Sequence, residues 1–179
     1  WGRTCGLIRC HSFKTIGNNS AKAKMIITPK TYADYFETIA TNNKLIGHVA
    51  GSDDTKRFYA LDIEEVLTGQ KRNFTGYSLI LENMESNFFD GLADNVREYQ
   101  QAAFSIVKNY DARGTSHATL ITILDEAYKI VKQIQSKIYK DRKNREFSGL
   151  DINSFHLHKV GPILTSAYGY RCTFASTTS

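Results

Sequence analysis

Hydrophobic positions recur along this chain with two periods, and each period marks out its own elements. From Thr28-Pro29 onward, Tyr32, Tyr35, Phe36, Ile39 and Ala40 return every three or four residues, the spacing that lines up one stripe of a helix. Threonine as N-cap, and proline at the first helical position where its missing N–H leaves nothing unpaired, predict a helix from there to about Asn43. The same period is sustained from Ser116 to about Lys140, with Leu120, Ile123, Leu124, Ala127, Ile130, Val131, Ile134 and Ile138 on one face. The opposite face and end of this second helix carry Lys129, Lys132, Lys137, Lys140, Arg142, Lys143 and Arg145, cations that suit the negative end of the helix dipole.

Elsewhere the pattern shortens to strand length. Arg57-Phe58-Tyr59-Ala60 reads as a short aromatic strand, followed by a helical turn from Asp62 through Glu64, Glu65 and Leu67 to Gly69. Tyr77 to Glu82 is the clearest inner strand. Asn83 to Asp94 reads as a polar loop enclosing the apolar pair Phe88-Phe89. In residues 96–108, Gln100 to Ala103 favours helix and Phe104 to Val107 favours strand; strand is preferred because it forms a hairpin with 77–82. Ile152 to Val160 and Tyr168 to Ala175 complete the set, separated by a turn at Gly161-Pro162. The order predicts an α+β domain: a mostly antiparallel sheet of four to five strands with both long helices on one face.

Composition bounds this domain without changing it. A chain of 179 residues that is 41% hydrophobic supports one packed core, assigned to residues 25–175, with 176–179 as a C-terminal tail. The formal charge of +5 is carried by residues 1–24, which hold Arg3, Arg9, Lys14, Lys22 and Lys24 and no acid. Without those five cations the 23 basic residues fall to 18, equal to the 18 acidic ones, so the body has no wholesale preference for polyanions. Residues 1–24 therefore read as a basic extension, disordered or not native, with Met25 as the expected start. Only Cys172 of the three cysteines falls in the domain, which excludes an intradomain disulfide framework and suits a reducing compartment. No apolar stretch approaches the roughly 18 residues of a membrane span, so no membrane partner is expected.

Candidate chemistry is sparse. His156-Leu157-His158 places two imidazoles on one side of a strand, where they would share a metal only with a third ligand such as Asp151. Asp62, Glu64 and Glu65 form an acidic cluster of the kind a helix start attracts. There is no Gly-rich phosphate loop, G-x-S-x-G, C-x-x-C or H-E-x-x-H motif, so the sequence assigns no catalytic, cofactor-binding or metal residue and no cofactor. The basic run from Lys137 to Arg145 is broken by Asp141, followed by Glu146, and holds only Tyr139 as a stacking group; it reads as a solvated helix end, and nucleic acid is not favoured. Phe88-Phe89 either folds back on its own domain or contacts a neighbouring subunit.

Thr31-Tyr32-Ala33-Asp34-Tyr35-Phe36, Arg57-Phe58-Tyr59 with Asp62, the strand Tyr77 to Glu82, Val160-Gly161-Pro162-Ile163 and Ala167-Tyr168-Gly169-Tyr170-Arg171 together carry a resemblance. Across most of residues 25–174 the chain resembles small proteins of tailed-phage and prophage structural modules, particularly those of Bacteroidetes. The resemblance implies a non-enzymatic neck or tail-completion role similar to tail terminators, whose subunits form rings, first in the host cytoplasm and then in the virion. It implies self-association and contacts with other virion proteins. The candidate interface residues are Phe88, Phe89, Arg142, Lys143 and Arg145, in or beside the connections 83–94 and 141–150. Two other readings stand beside it: a monomeric adaptor for protein or nucleic acid, and a metal-dependent enzyme using His156 and His158.

Overall fold

The computed structural model describes residues 28–52, 54–60, 76–91, 95–110, 116–144, 149–163 and 166–178. Helix α1 runs over Pro29–Asn42. Its start is a capping box: Thr28 Oγ1 accepts from the Thr31 N–H at 3.2 Å, and Thr31 Oγ1 accepts from the Thr28 N–H at 2.8 Å. Its end is turned by Asn43, whose Oδ1 accepts from the Leu45 N–H at 3.0 Å. Helix α2 runs over His117–Lys143 and buries Ile123, Ala127, Ile130, Val131, Ile134 and Ile138, as the apolar period requires.

The strands are β1 (Phe58–Ala60), β2 (Ser78–Leu81), β3 (Glu85–Gly91), β4 (Asn95–Asn109), β5 (Leu150–Ile163) and β6 (Ala167–Thr178). They form one mixed sheet in the order β1-β2-β4-β6-β5, with β3 also paired to β4. Among the described pairings only β1 with β2 is parallel. β4 organises the rest. Its first half pairs with β3, from Glu85↔Gln101 to Gly91↔Asn95, and its second half pairs on the same flank with β2, from Leu81↔Phe104 to Ser78↔Val107. Between the two, residues 82–84 face only 102–103, a one-residue bulge that bends the edge. On its other flank β4 pairs with β6 in unbroken register, from Glu98↔Thr178 to Asn109↔Ala167.

Both helices contribute to one core on one face of the sheet. Phe36 of α1, Phe104 of β4 and Phe174 of β6 form its centre, with ring centroids 5.3 to 6.3 Å apart. The Tyr32 hydroxyl, buried beside them, donates to the Ala103 carbonyl at 3.2 Å, and burial holds its phenol well above the usual range. The reverse face has a smaller apolar cluster of Tyr59, Ile80, Val107 and Ala167, flanked by Val160 and Ile163. Gly169 sits where β4 comes closest: a Cβ there would lie 1.8 Å from the Ile106 carbonyl oxygen.

The α+β class, the two helices on one face and the strand over 96–108 are as the sequence predicts; several details differ. The sheet has six strands rather than four to five, because residues 85–91 of the expected loop form β3. Glu85, Ser86 and Asn87 are all exposed, and a stretch solvated on both faces needs no apolar alternation, so the period gives no sign of it. Gly161-Pro162 is not the turn: the bond is cis and lies inside β5, where two residues oppose one on β6 between Val160↔Gly169 and Ile163↔Ala167. β6 continues to Thr178, so 176–178 belong to the sheet and not to a tail. The turn expected from Asp62 to Gly69 and the extension 1–24 lie outside the described residues.

Candidate functional site

Three polar clusters and one surface are candidates. The first lies between the helices. Asp141 falls in phase with Ile130, Ile134 and Ile138, so α2 turns its carboxylate into the protein, where its side chain is only 4% exposed. Tyr35 of α1 donates to Oδ2 at 2.7 Å, and Lys137, one turn earlier, reaches Oδ1 and Oδ2 at 2.6 and 2.7 Å. Beside this triad a cavity of about 360 Å³ opens between the helices, bounded by Ile39, Asn42, Asn43, Gln133 and Ile134. Asn43 Nδ2 donates to Gln133 Oε1 across it at 3.2 Å. With its charge met by Lys137 and by a hydroxyl from the other helix, Asp141 works as a latch between α1 and α2.

The second cluster centres on His48, which is buried in the loop after α1. Nδ1 accepts from the Arg57 backbone N–H at 3.2 Å, which places the proton of the neutral ring on Nε2, and Nε2 faces Glu37 Oε1 at 3.3 Å. A catalytic base oriented by a carboxylate needs its second nitrogen open to substrate, whereas both nitrogens here are occupied by the fold. The neighbouring cavity of about 450 Å³, bounded by Glu37, His48, Ser52, Lys56 and Phe58, therefore meets no free imidazole nitrogen.

The third is on the reverse face. Arg171 of β6 donates through Nε and Nη2 to the two Glu82 oxygens at 2.7 and 2.6 Å, a bidentate pair that crosses β4, and Ser105 of β4 donates to Glu82 Oε1 at 3.4 Å. His156 and His158 share this face, as expected, opposite Thr173 and Arg171, and both are exposed. Among the described residues no three His, Cys, Asp or Glu side chains are grouped to hold a metal.

The expected interface residues separate into two regions. Phe88 and Phe89 lie in β3, paired with Glu98 and Arg97, in a strand that has at most marginal contact with either helix. Arg142 and Lys143 are exposed at the end of α2, and Arg145 lies outside the described residues. The sequence expectation that Asp141 interrupts the cationic run is corrected: Asp141 is on the buried face and its charge is spent on Lys137 and Tyr35. The signal was its phase, three residues after Ile138 on the apolar stripe. Glu82 and Arg171 are 89 positions apart, and no local pattern joins them.

The fold and its clusters define an α+β domain whose buried titratable side chains, among the described residues, are engaged within the protein. Comparison of the chain with protein-family models, with curated proteins and with solved structures finds no match.

Proposed function

We propose that this chain is a non-enzymatic assembly subunit, held in place by neighbouring subunits, and, following the resemblance in its sequence, a ring-forming completion or terminator subunit at the neck or tail end of a phage or prophage particle. The observation that carries this reading is the outer strand of the β3–β4 hairpin: β3 pairs with β4 through seven positions, Glu85↔Gln101 to Gly91↔Asn95, has at most marginal contact with the helices, and holds Phe88 and Phe89. Among the described residues β3 pairs on one flank only, and such an open strand edge is a surface for another molecule; two non-equivalent surfaces on one subunit generate closed rings by head-to-tail contact where the rotation closes. The inward use of Asp141 and His48 is consistent with an assembly role, since both serve packing between elements.

Two measurements test it together: the mass of the full chain in solution across a range of concentration, and its presence in purified particles. The expected result is a closed oligomer or a particle-bound chain, with Phe88→Ser and Phe89→Ser abolishing either one while the monomer still melts cooperatively. A chain that is monomeric at every concentration and absent from particles overturns the reading.

A further inference from the structure

We propose that the C-terminal half of α2 is a binding surface for single-stranded nucleic acid, a property separate from the assembly role and not dependent on it. Tyr128, Lys132, Tyr139 and Lys143 follow one another at spacings of four, seven and four, which sets them in one line on the solvent side of the helix, about 22 Å long. Lys140 and Arg142 lie on either side of that line, and both are exposed. The two tyrosines are 40% and 38% exposed, unusual for aromatic rings on the outer face of an amphipathic helix that has already buried its apolar stripe.

The charges of this half are distributed by structure rather than by composition. Beyond Glu126 the only acid on α2 is Asp141, and it points inward against Lys137 and Tyr35. Asp125, nearer the start, is neutralised by Lys129 at 2.6 Å. Lys140, Arg142 and Lys143 form no ion pair among the described residues. Three cations then face solvent against the roughly half negative charge of the helix's carbonyl end, so the field there is positive. Rings accompany the cations: Lys143 Nζ lies 4.7 Å from the Tyr139 centroid and Lys132 Nζ 5.5 Å from that of Tyr128. Tyr128 is held edge-on by Tyr170 of β6 at 5.6 Å. Flat rings interleaved with ammonium groups offer stacking surfaces beside phosphate contacts, the combination that unpaired bases use and that neither a duplex nor an acidic peptide exploits in full.

The test is fluorescence anisotropy of a labelled oligo(dT) of about 20 nucleotides with the full chain, titrated from about 50 to about 200 mM salt. Binding is expected to weaken log-linearly with salt. The combined substitution Lys140→Gln, Arg142→Gln, Lys143→Gln should weaken it at least about tenfold and flatten the salt slope by about two, near 0.7 per lost cation for a single strand. Tyr139→Ala should weaken oligo(dT) binding about tenfold yet leave binding of inorganic polyphosphate, which has no bases, unchanged. All four side chains are exposed, and thermal melting confirms the fold; should the combined variant melt early, Arg142→Glu alone must show the loss. The proposal is overturned if the wild type shows no salt-dependent binding, or if the combined variant binds as well as the wild type. It is also overturned if neutralising Arg3, Arg9, Lys14, Lys22 and Lys24 removes the binding instead. Tighter binding of the matching duplex or of polyglutamate would likewise reject it, the latter in favour of an acidic protein partner.

Discussion

The two faces of the sheet are held by different physics. On the helix-covered face, Phe36, Phe104 and Phe174 touch one another within a continuous core, and the Tyr32 hydroxyl admitted there ends on a backbone oxygen. On the reverse face the apolar cluster is small and stands beside the Glu82–Arg171 pair, whose side chains are 13% and 37% exposed. Stability on the first face comes from filled volume, which is lost in proportion to what is removed. On the second it comes partly from a clip that joins the strands either side of β4, and such a clip fails when either half is lost.

The largest effect is expected where both faces depend on one backbone contact. Gly169→Ala drives a Cβ into the Ile106 carbonyl, so β6 must leave β4, and a loss above about 5 kcal/mol should leave no cooperative thermal transition. Phe36→Ala, which opens the centre of the helix-covered face, should lower stability in urea by about 3–5 kcal/mol with an unchanged denaturant slope. On the reverse face Glu82→Gln should lose about 1–3 kcal/mol, since Arg171 remains partly buried without its counter-charge. A double-mutant cycle with Arg171→Met separates the clip from packing: a coupling near zero would mean that this face, too, is held by volume alone.

The smallest effect is one of pH. Burial against α2 pushes the Cys172 thiol up to about 11 from 9.0, so the folded protein keeps a proton that the unfolded chain releases first. Stability from this group is therefore whole below pH 9.0 and declines as pH rises toward 11. About 1 kcal/mol should disappear between pH 9 and 10, and Cys172→Ala should flatten that decline, before the raised phenols of Tyr32 and Tyr77 add their own above it.

What the sequence discloses follows the same division. Both helices and the inner strands are legible because the covered face imposes a period on Tyr32, Phe36, Ile130, Ile134 and Phe104. β3 is hidden because its exposed start, Glu85 to Asn87, imposes none, and the clip is hidden because Glu82 and Arg171 meet only through the order of the strands. Asp141 was legible in phase but not in role: a carboxylate on an apolar stripe declares that a partner exists, while Tyr35, 106 positions away, becomes its partner only when α1 packs alongside.

β4 outruns its partner β6 at Thr178, and its first residues then belong to a different unit from the rest. Its stretch Ala102–Val107 lies against the helix core and pairs with β6 and, beyond the bulge, with β2; Glu98–Gln101 pairs with both β3 and β6, and among the described pairings only Asn95–Arg97 has β3 as its single partner. Amide protons from Glu98 onward are expected to exchange with the body of the sheet, whereas those of Asn95–Arg97 and the facing end of β3 can be released separately, with the end of the β6 pairing at Glu98 as the boundary. The tip of the hairpin can thus open without unlatching the body that carries it.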